Sequence, residues 1–217
     1  MHEVFIPHMH LGRIAESGQC FRMTRQKNGA FSVPAMDRHV MVHEVNDSTY
    51  AFDCSEEEFR QFWHPYFDLD TDYGLLQQSV PRDDAFLQAA LQHSHGMRIL
   101  RQHPWEMLIS FILSQRKSIP AIRGCIDKLC ARFGQAIGDS GIYSFPSPEA
   151  LALADEGELN SCGLGYRTRY IKGTARMVAE GEIDLAHLGT LPDGKLQESL
   201  CLFPGVGVKV VQCVMLF

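Results

Sequence analysis

Leu202-Phe203-Pro204-Gly205-Val206-Gly207-Val208-Lys209-Val210-Val211 is the stretch on which the reading of this chain turns. A helical pattern over 193–202 ends there, two glycines flank Val206, and a second apolar helical pattern begins at about Gly207. Gly205 and Gly207 leave the turn without side chains, so an anion such as a phosphate can approach bare backbone. The first turn of the second helix then aims free N–H groups and the positive end of its dipole at that anion. An ordinary glycine turn between packed helices would look the same locally. Lys209 adds chemistry. In the first helical turn, with Val208, Val210 and Val211 beside it, the dipole and the apolar neighbours disfavour the ammonium form, as expected of a Schiff-base nucleophile. A surface lysine is the plain alternative.

Upstream of this segment the chain is helical in texture back to residue 83. Pro104 opens a pattern with Trp105, Leu108, Ile109, Ile112 and Leu113 on one face, an amphipathic helix. Ile119, Ile122, Ile126, Leu129, Cys130 and Phe133 repeat the stripe, with Gly134 placed to stop it. Shorter helices are expected over 148–155, 167–180 and 193–202. Before residue 55 the texture changes to strands. Asn28-Gly29 marks a hairpin turn, residues 39–45 alternate, and Thr49–Phe52 can pair with them. Ser55 with Glu58 forms a capping box for a helix through Tyr66. The acidic run Asp68–Asp72 reads as a solvated loop or helix cap, because the glycine and closing glutamate of a calcium loop are missing from their offsets. The fold class is therefore α+β, with an N-terminal antiparallel sheet domain over 1–85 and a helical domain over 86–217.

Composition narrows the function classes. The chain has 217 residues, 45% of them hydrophobic and 21% charged, a globular balance. No apolar run is long enough to span a membrane, and no basic segment leads into an apolar core at the N-terminus. Seven cysteines without a C-x-x-C pair fit reduced thiols inside a cell, so no cofactor is expected and the setting is cytoplasmic, or nucleoid-associated in a bacterium. The net charge of −6 disfavours an anionic partner only on average. Residues 1–95 carry −7, residues 96–180 carry +3 and residues 181–217 carry −2, so the middle third is where such a partner would sit.

Five motifs in order carry a resemblance. They are Ser17-Gly18-Gln19-Cys20-Phe21-Arg22, Gly96-Met97-Arg98-Ile99-Leu100-Arg101-Gln102, Ser110-Phe111-Ile112-Leu113-Ser114-Gln115, Gly163-Leu164-Gly165-Tyr166-Arg167-Thr168-Arg169-Tyr170 and Pro204–Lys209. Together they resemble the 8-oxoguanine DNA glycosylase family, bifunctional members of the helix-hairpin-helix base-excision superfamily, whose hairpin grips DNA backbone without reading sequence. The resemblance implies a DNA N-glycosylase with lyase activity on the abasic site, acting as a monomer on double-stranded DNA that contains an oxidised purine. Lys209 would attack the sugar, expel the base and leave a Schiff base. Gly18 would offer its carbonyl to the N–H that 8-oxoguanine has and guanine lacks, inside a flipped-base pocket lined by Cys213 and Phe217. Tyr166 and Arg167 would wedge the duplex and read the orphaned cytosine. Carbonyls of Cys201, Phe203 and Val206 would hold a structural monovalent cation.

The chain departs from the family pattern in two places. Arg116-Lys117-Ser118 stands where asparagines are usual, so Arg116 would fill the gap left by the extruded base, and Ala121 replaces an arginine that helps read the opposing cytosine. Relaxed opposing-base selectivity is expected. The family's catalytic aspartate falls beyond Phe217, which together with the uncapped apolar run Val210–Phe217 reads as a C-terminally truncated fragment that lacks part of the machinery. The alternatives are an alkylated-base glycosylase of the same superfamily, which would not need Lys209, and a non-catalytic DNA-binding module using the hairpin alone.

Overall fold

The computed structural model describes the whole chain, Met1–Phe217. The chain forms two compact units, Met1–Val33 with His39–Arg101, and Pro34–Arg38 with Gln102–Phe217. The division falls at Arg101/Gln102, whereas sequence texture suggests 85/86. Residues 96–101 are held in the first unit by side chains that the texture does not show. The Gln19 amide donates to Arg98 O at 2.9 Å and accepts the Leu100 N–H at 2.8 Å, and Arg101 pairs with Asp68 at 2.6 Å.

The first unit carries β1 (His2–Phe5), α1 (Leu11–Glu16), β2 (Thr24–Arg25), β5 (Thr49–Phe52) and most of β3 (Phe31–Ala35) and β4 (Arg38–Asn46). They form one antiparallel sheet in the order β1-β5-β4-β3-β2. The Asn28-Gly29 turn behaves as its chemistry demands: Gly29 has φ +89° and Thr24 and Arg25 pair with Ser32 and Phe31. Ser55 accepts the Glu58 N–H at 3.1 Å and opens a helical run comprising α2 (Glu56–Glu58), a π-turn (Phe59–Trp63) and α3 (His64–Tyr66). α4 (Tyr73–Gln78) follows, in a stretch with no periodic apolar stripe in the sequence, and then α5 (Ala85–His93). Asp72 is the expected helix cap, accepting from Leu75 N at 3.1 Å. Asp68 is not solvated, as the sequence suggests; it is 7% exposed and paired with Arg101. Trp63, Phe52, Phe67, Leu11 and Ile14 form the core.

The second unit is helical. Its elements are α6 (Pro104–Ser114), α7 (Ile119–Phe133), α8 (Pro148–Leu153), α9 (Glu156–Ser161), a 3₁₀ turn (Gly165–Arg167), α10 (Thr168–Ala179), α11 (Leu185–Leu188), α12 (Asp193–Leu200) and α13 (Val208–Leu216). α6, expected to be amphipathic, is instead buried on every side from Trp105 to Leu113, because Met107 and Phe111 extend the apolar surface around the helix. α8 and α10 pack together, and α13 lies against α6. Gly134 stops α7 as expected, but at φ −85° and not in the left-handed region. It is glycine because a Cβ there would lie 2.1 Å from Ser144 O.

Candidate active site

The segment between α12 and α13 folds as a tight hairpin whose two glycines have different physical roles. Gly205 has φ +74°, and a Cβ on it would lie 2.5 Å from Cδ2 of Tyr170. Conformation and the ring from α10 both exclude a side chain. Gly207 is the N-cap of α13 at φ −110°, with no heavy atom within 4 Å of where its Cβ would be. Nothing in the protein requires glycine there; the space in front of it is open. On the other side of the turn Pro204 Cγ would lie 3.0 Å from a Cβ on Gly173, so α10 is the surface on which the hairpin rests.

Lys209 stands on the second residue of α13, on its exposed side. Val208 is also exposed, while Val210 and Val211 turn into the core. Of the three valines expected to shield the amine, Val211 is fully buried, whereas Val208 and Val210 line the cavity that Lys209 borders. Lys209 borders a cavity of about 420 Å³ walled by Phe111, Ser114, Gln115, Arg116, Gly207, Val208, Val210 and Cys213. Cys213 lies one turn after Lys209 and lines the same cavity, as expected from the sequence. Phe217 does not line it. Its ring stacks on Phe111 with centroids 5.8 Å apart and 8° between planes, and Phe111 is the aromatic wall. Sequence reasoning passes over Phe111 because it sits inside a helix that reads as core.

Three loops of this unit converge through polar contacts. Gln115, just past α6, donates both amide hydrogens to backbone, at 3.2 Å to Ile112 O and 3.1 Å to Gly205 O. Its own backbone carbonyl accepts from the Arg167 guanidinium, which also donates to Leu164 O at 3.2 Å. Arg167 is 5% exposed, with both terminal nitrogens bonded to backbone carbonyls and Nε buried without a partner, while Tyr166, 48% exposed, is presented outward with the guanidinium 4.3 Å from its ring centroid. Arg116 is exposed at φ +51°, a conformation unusual for a residue with a Cβ. Neither the Gln115 contacts nor the Arg116 strain has a signal in the sequence. Ala121 is exposed on the first turns of α7. Gly18 belongs to the first unit, where it has φ +81° and open space around its Cβ position.

At the hairpin turn the Phe203 carbonyl accepts the Val206 N–H at 3.1 Å. No cluster of His, Cys, Asp or Glu could hold a metal ion, and all seven cysteines are free thiols. No helix is long and apolar enough to cross a membrane.

The arrangement matches known proteins along nearly all of its length. The family model for the 8-oxoguanine DNA glycosylase N-terminal domain matches residues 5–108, and that for the HhH-GPD superfamily of base excision DNA repair proteins matches residues 109–211. A Clostridium acetobutylicum 8-oxoguanine glycosylase/lyase in its apo form superposes with a TM-score of 0.93 at 35% identity, over 100% of this chain and 78% of that one. The chain belongs to the 8-oxoguanine DNA glycosylase family.

Other members agree. MBOgg1, solved with a low affinity DNA ligand, superposes with a TM-score of 0.94 at 37% identity, covering 99% of this chain and 75% of its own. The N-glycosylase/DNA lyase of Saccharomyces cerevisiae is 32% identical over 95% of this chain, which spans 62% of that relative's length. As a glycosylase-family chain, it carries the motif lysine at the mouth of a cavity, with the glycine-bounded helix start beside it.

Proposed function

We propose that this chain carries the excision chemistry of a bifunctional 8-oxoguanine DNA glycosylase/AP lyase. The observation that supports it most is Lys209, exposed at the edge of a cavity of about 420 Å³, two residues after an N-cap whose open face can take a phosphate. The cavity falls within the roughly 300–1,000 Å³ range of small-molecule pockets, enough for a flipped base. Lys209 Nζ bonds to C1′ of the damaged nucleoside as the bond from C1′ to the base breaks. The base leaves with the electron pair and a proton, and the amine gives up its own. Ring opening converts the adduct to an imine, which acidifies C2′; loss of a C2′ proton to solvent forms the C2′–C3′ double bond as the C3′–O bond breaks, and the 3′ phosphate leaves, nicking the strand.

The other site residues take roles around that step. Cys213 and Phe111 line the base cavity, with Phe217 supporting Phe111. Gly205 shapes the turn and Gly207 admits the phosphate. Tyr166 wedges the duplex, Arg116 occupies the space of the extruded nucleotide, and Arg167 braces from within the loop that meets the orphaned base. Hard, neutral carbonyl oxygens suit a monovalent cation, and Cys201, Phe203 and Val206 would hold it, bracing the turn. The protein acts as a monomer on duplex DNA inside the cell. Lys209 is also what separates this reading from that of an alkylated-base glycosylase.

Borohydride trapping tests the assignment. The full-length protein should be captured covalently on a duplex containing 8-oxoguanine, and Lys209→Gln should abolish capture while duplex affinity stays within a few-fold. Because Lys209 is exposed, the substitution should change stability by no more than about 0.5 kcal/mol. Equal capture by both proteins would sink the assignment.

A further inference from the structure

Lys117 lies in the connection between α6 and α7, next to Arg116, and is half-buried. Its ammonium reaches the chain just after α9. Nζ donates at 2.8 Å to Gly163 O and stands 3.3 Å from the Cys125 thiol, which itself lies 3.4 Å from the same carbonyl. Gly163 starts the loop that carries Tyr166 and Arg167, and at φ +82° it is the point where the chain leaves α9. The far end of that loop is held separately, by the Arg167 guanidinium on Gln115 O. The α6–α7 connection thus grips the loop at both ends, with Lys117 at one and the Gln115 carbonyl at the other. A charge-assisted hydrogen bond to a backbone carbonyl is among the stronger polar contacts, and the thiol of the buried Cys125 flanks this one.

We propose that Lys117 is a positioning residue for opposing-base selection: it fixes the Gly163–Arg167 loop, and through it the placement of Tyr166 and Arg167 against the orphaned base. This rests on the reading of that loop as the one that meets the opposing strand. Lys117 is not among the residues that wall the Lys209 cavity. It sets how rigidly the loop is presented. Losing the contact lets the loop sample several placements and flattens the difference between correct and incorrect opposing bases, while phosphate gripping at the hairpin continues.

Two measurements that need no catalysis test the proposal on the free protein and on bound DNA. The first is amide hydrogen exchange of the 163–167 segment. Lys117→Met keeps the length of the side chain and removes the donor, and it should speed exchange there by about tenfold, leaving 203–207 unchanged. Lys117→Arg, which keeps a charged donor, should restore protection. The second is affinity for duplexes carrying a stable abasic-site analogue opposite each of the four bases. Lys117→Met should compress the spread of the four affinities by about tenfold, and Lys117→Arg should recover most of it. Unchanged exchange at 163–167 would overturn the proposal, as would faster exchange with an unchanged spread. A parallel loss of affinity opposite all four bases would make Lys117 a phosphate contact and overturn it too. Absence of 8-oxoguanine excision by the unsubstituted protein would count against the proposed activity alone, since both measurements here are independent of turnover.

Discussion

Gly205 lies against the ring of Tyr170 so closely that a Cβ would stand 2.5 Å from Cδ2, while Gly207, two residues on, faces open space. The same Gly-x-Gly spacing therefore contains one glycine demanded by the protein and one left free for a ligand.

Substituting the two by alanine should separate those roles. Gly205→Ala combines a left-handed backbone with a clash and should cost about 2–4 kcal/mol of stability in urea unfolding. Gly207→Ala should cost about 1 kcal/mol or less, as an alanine N-cap. It should still weaken binding to damaged and undamaged duplex alike, because phosphate contacts carry no sequence information. A loss confined to 8-oxoguanine duplexes would mean that Gly207 shapes the base cavity.

Arg167 is a structural tie before it meets DNA. With Arg167 only 5% exposed and its guanidinium bonded to Leu164 O and Gln115 O, Arg167→Met should lower the unfolding free energy by about 2–4 kcal/mol. Lysine at this position cannot span both carbonyls and should recover less than half of that. A variant of native stability with altered opposing-base preference would show that the guanidinium is spent on DNA alone.

Stability should fall as pH drops below about 6.5. His103 caps α6 by accepting the Trp105 N–H at 3.2 Å on Nδ1, and burial holds its pKa below the ordinary value, against the opposing pull of Asp37. His39 is lowered as well, first by burial and then by Arg22. A depressed histidine binds fewer protons folded than unfolded, so its contribution is complete above the unfolded value and is lost as pH falls toward the folded one. Thermal melting at pH 7 and pH 5 checks this. His103→Asn, a non-titrating cap, should reduce the difference between the two.

Opposing-base preference should be shallow. Ala121 offers no donor, and each good base contact contributes about 1–3 kcal/mol of discrimination, or about 5- to 150-fold. Excision of 8-oxoguanine opposite adenine, guanine or thymine should lie within about a hundredfold of cytosine in single-turnover assays, and Ala121→Arg should widen the gap. A preference above about a thousandfold in the unsubstituted enzyme would assign the reading to another side chain.

How much is legible beforehand differs by element. The Asn28-Gly29 hairpin, the Ser55 cap and the starts of α6, α7 and α13 follow from local chemistry, since turn dihedrals, caps and apolar spacing act over a few residues. The short helices α4, α9 and α11 lack a full periodic stripe and leave no such signal. The five motifs, read in order, lead to the family and to Lys209, Cys213 and the two glycines.

What the residues determined by themselves is the local vocabulary: a sheet-then-helices order, a glycine-bounded helix start, and a lysine two residues past it. Tertiary structure alone decided which of these groups face one another. It buried Arg167, left Lys209 exposed at the cavity edge, put Phe111 and not Phe217 on the cavity wall, and tied Lys117 to Gly163. Each of those outcomes depends on contacts between residues far apart in the chain, such as Gln115 with Gly205 or Tyr170 with Gly205. No local pattern encodes such a contact, because its geometry is set by how whole helices pack.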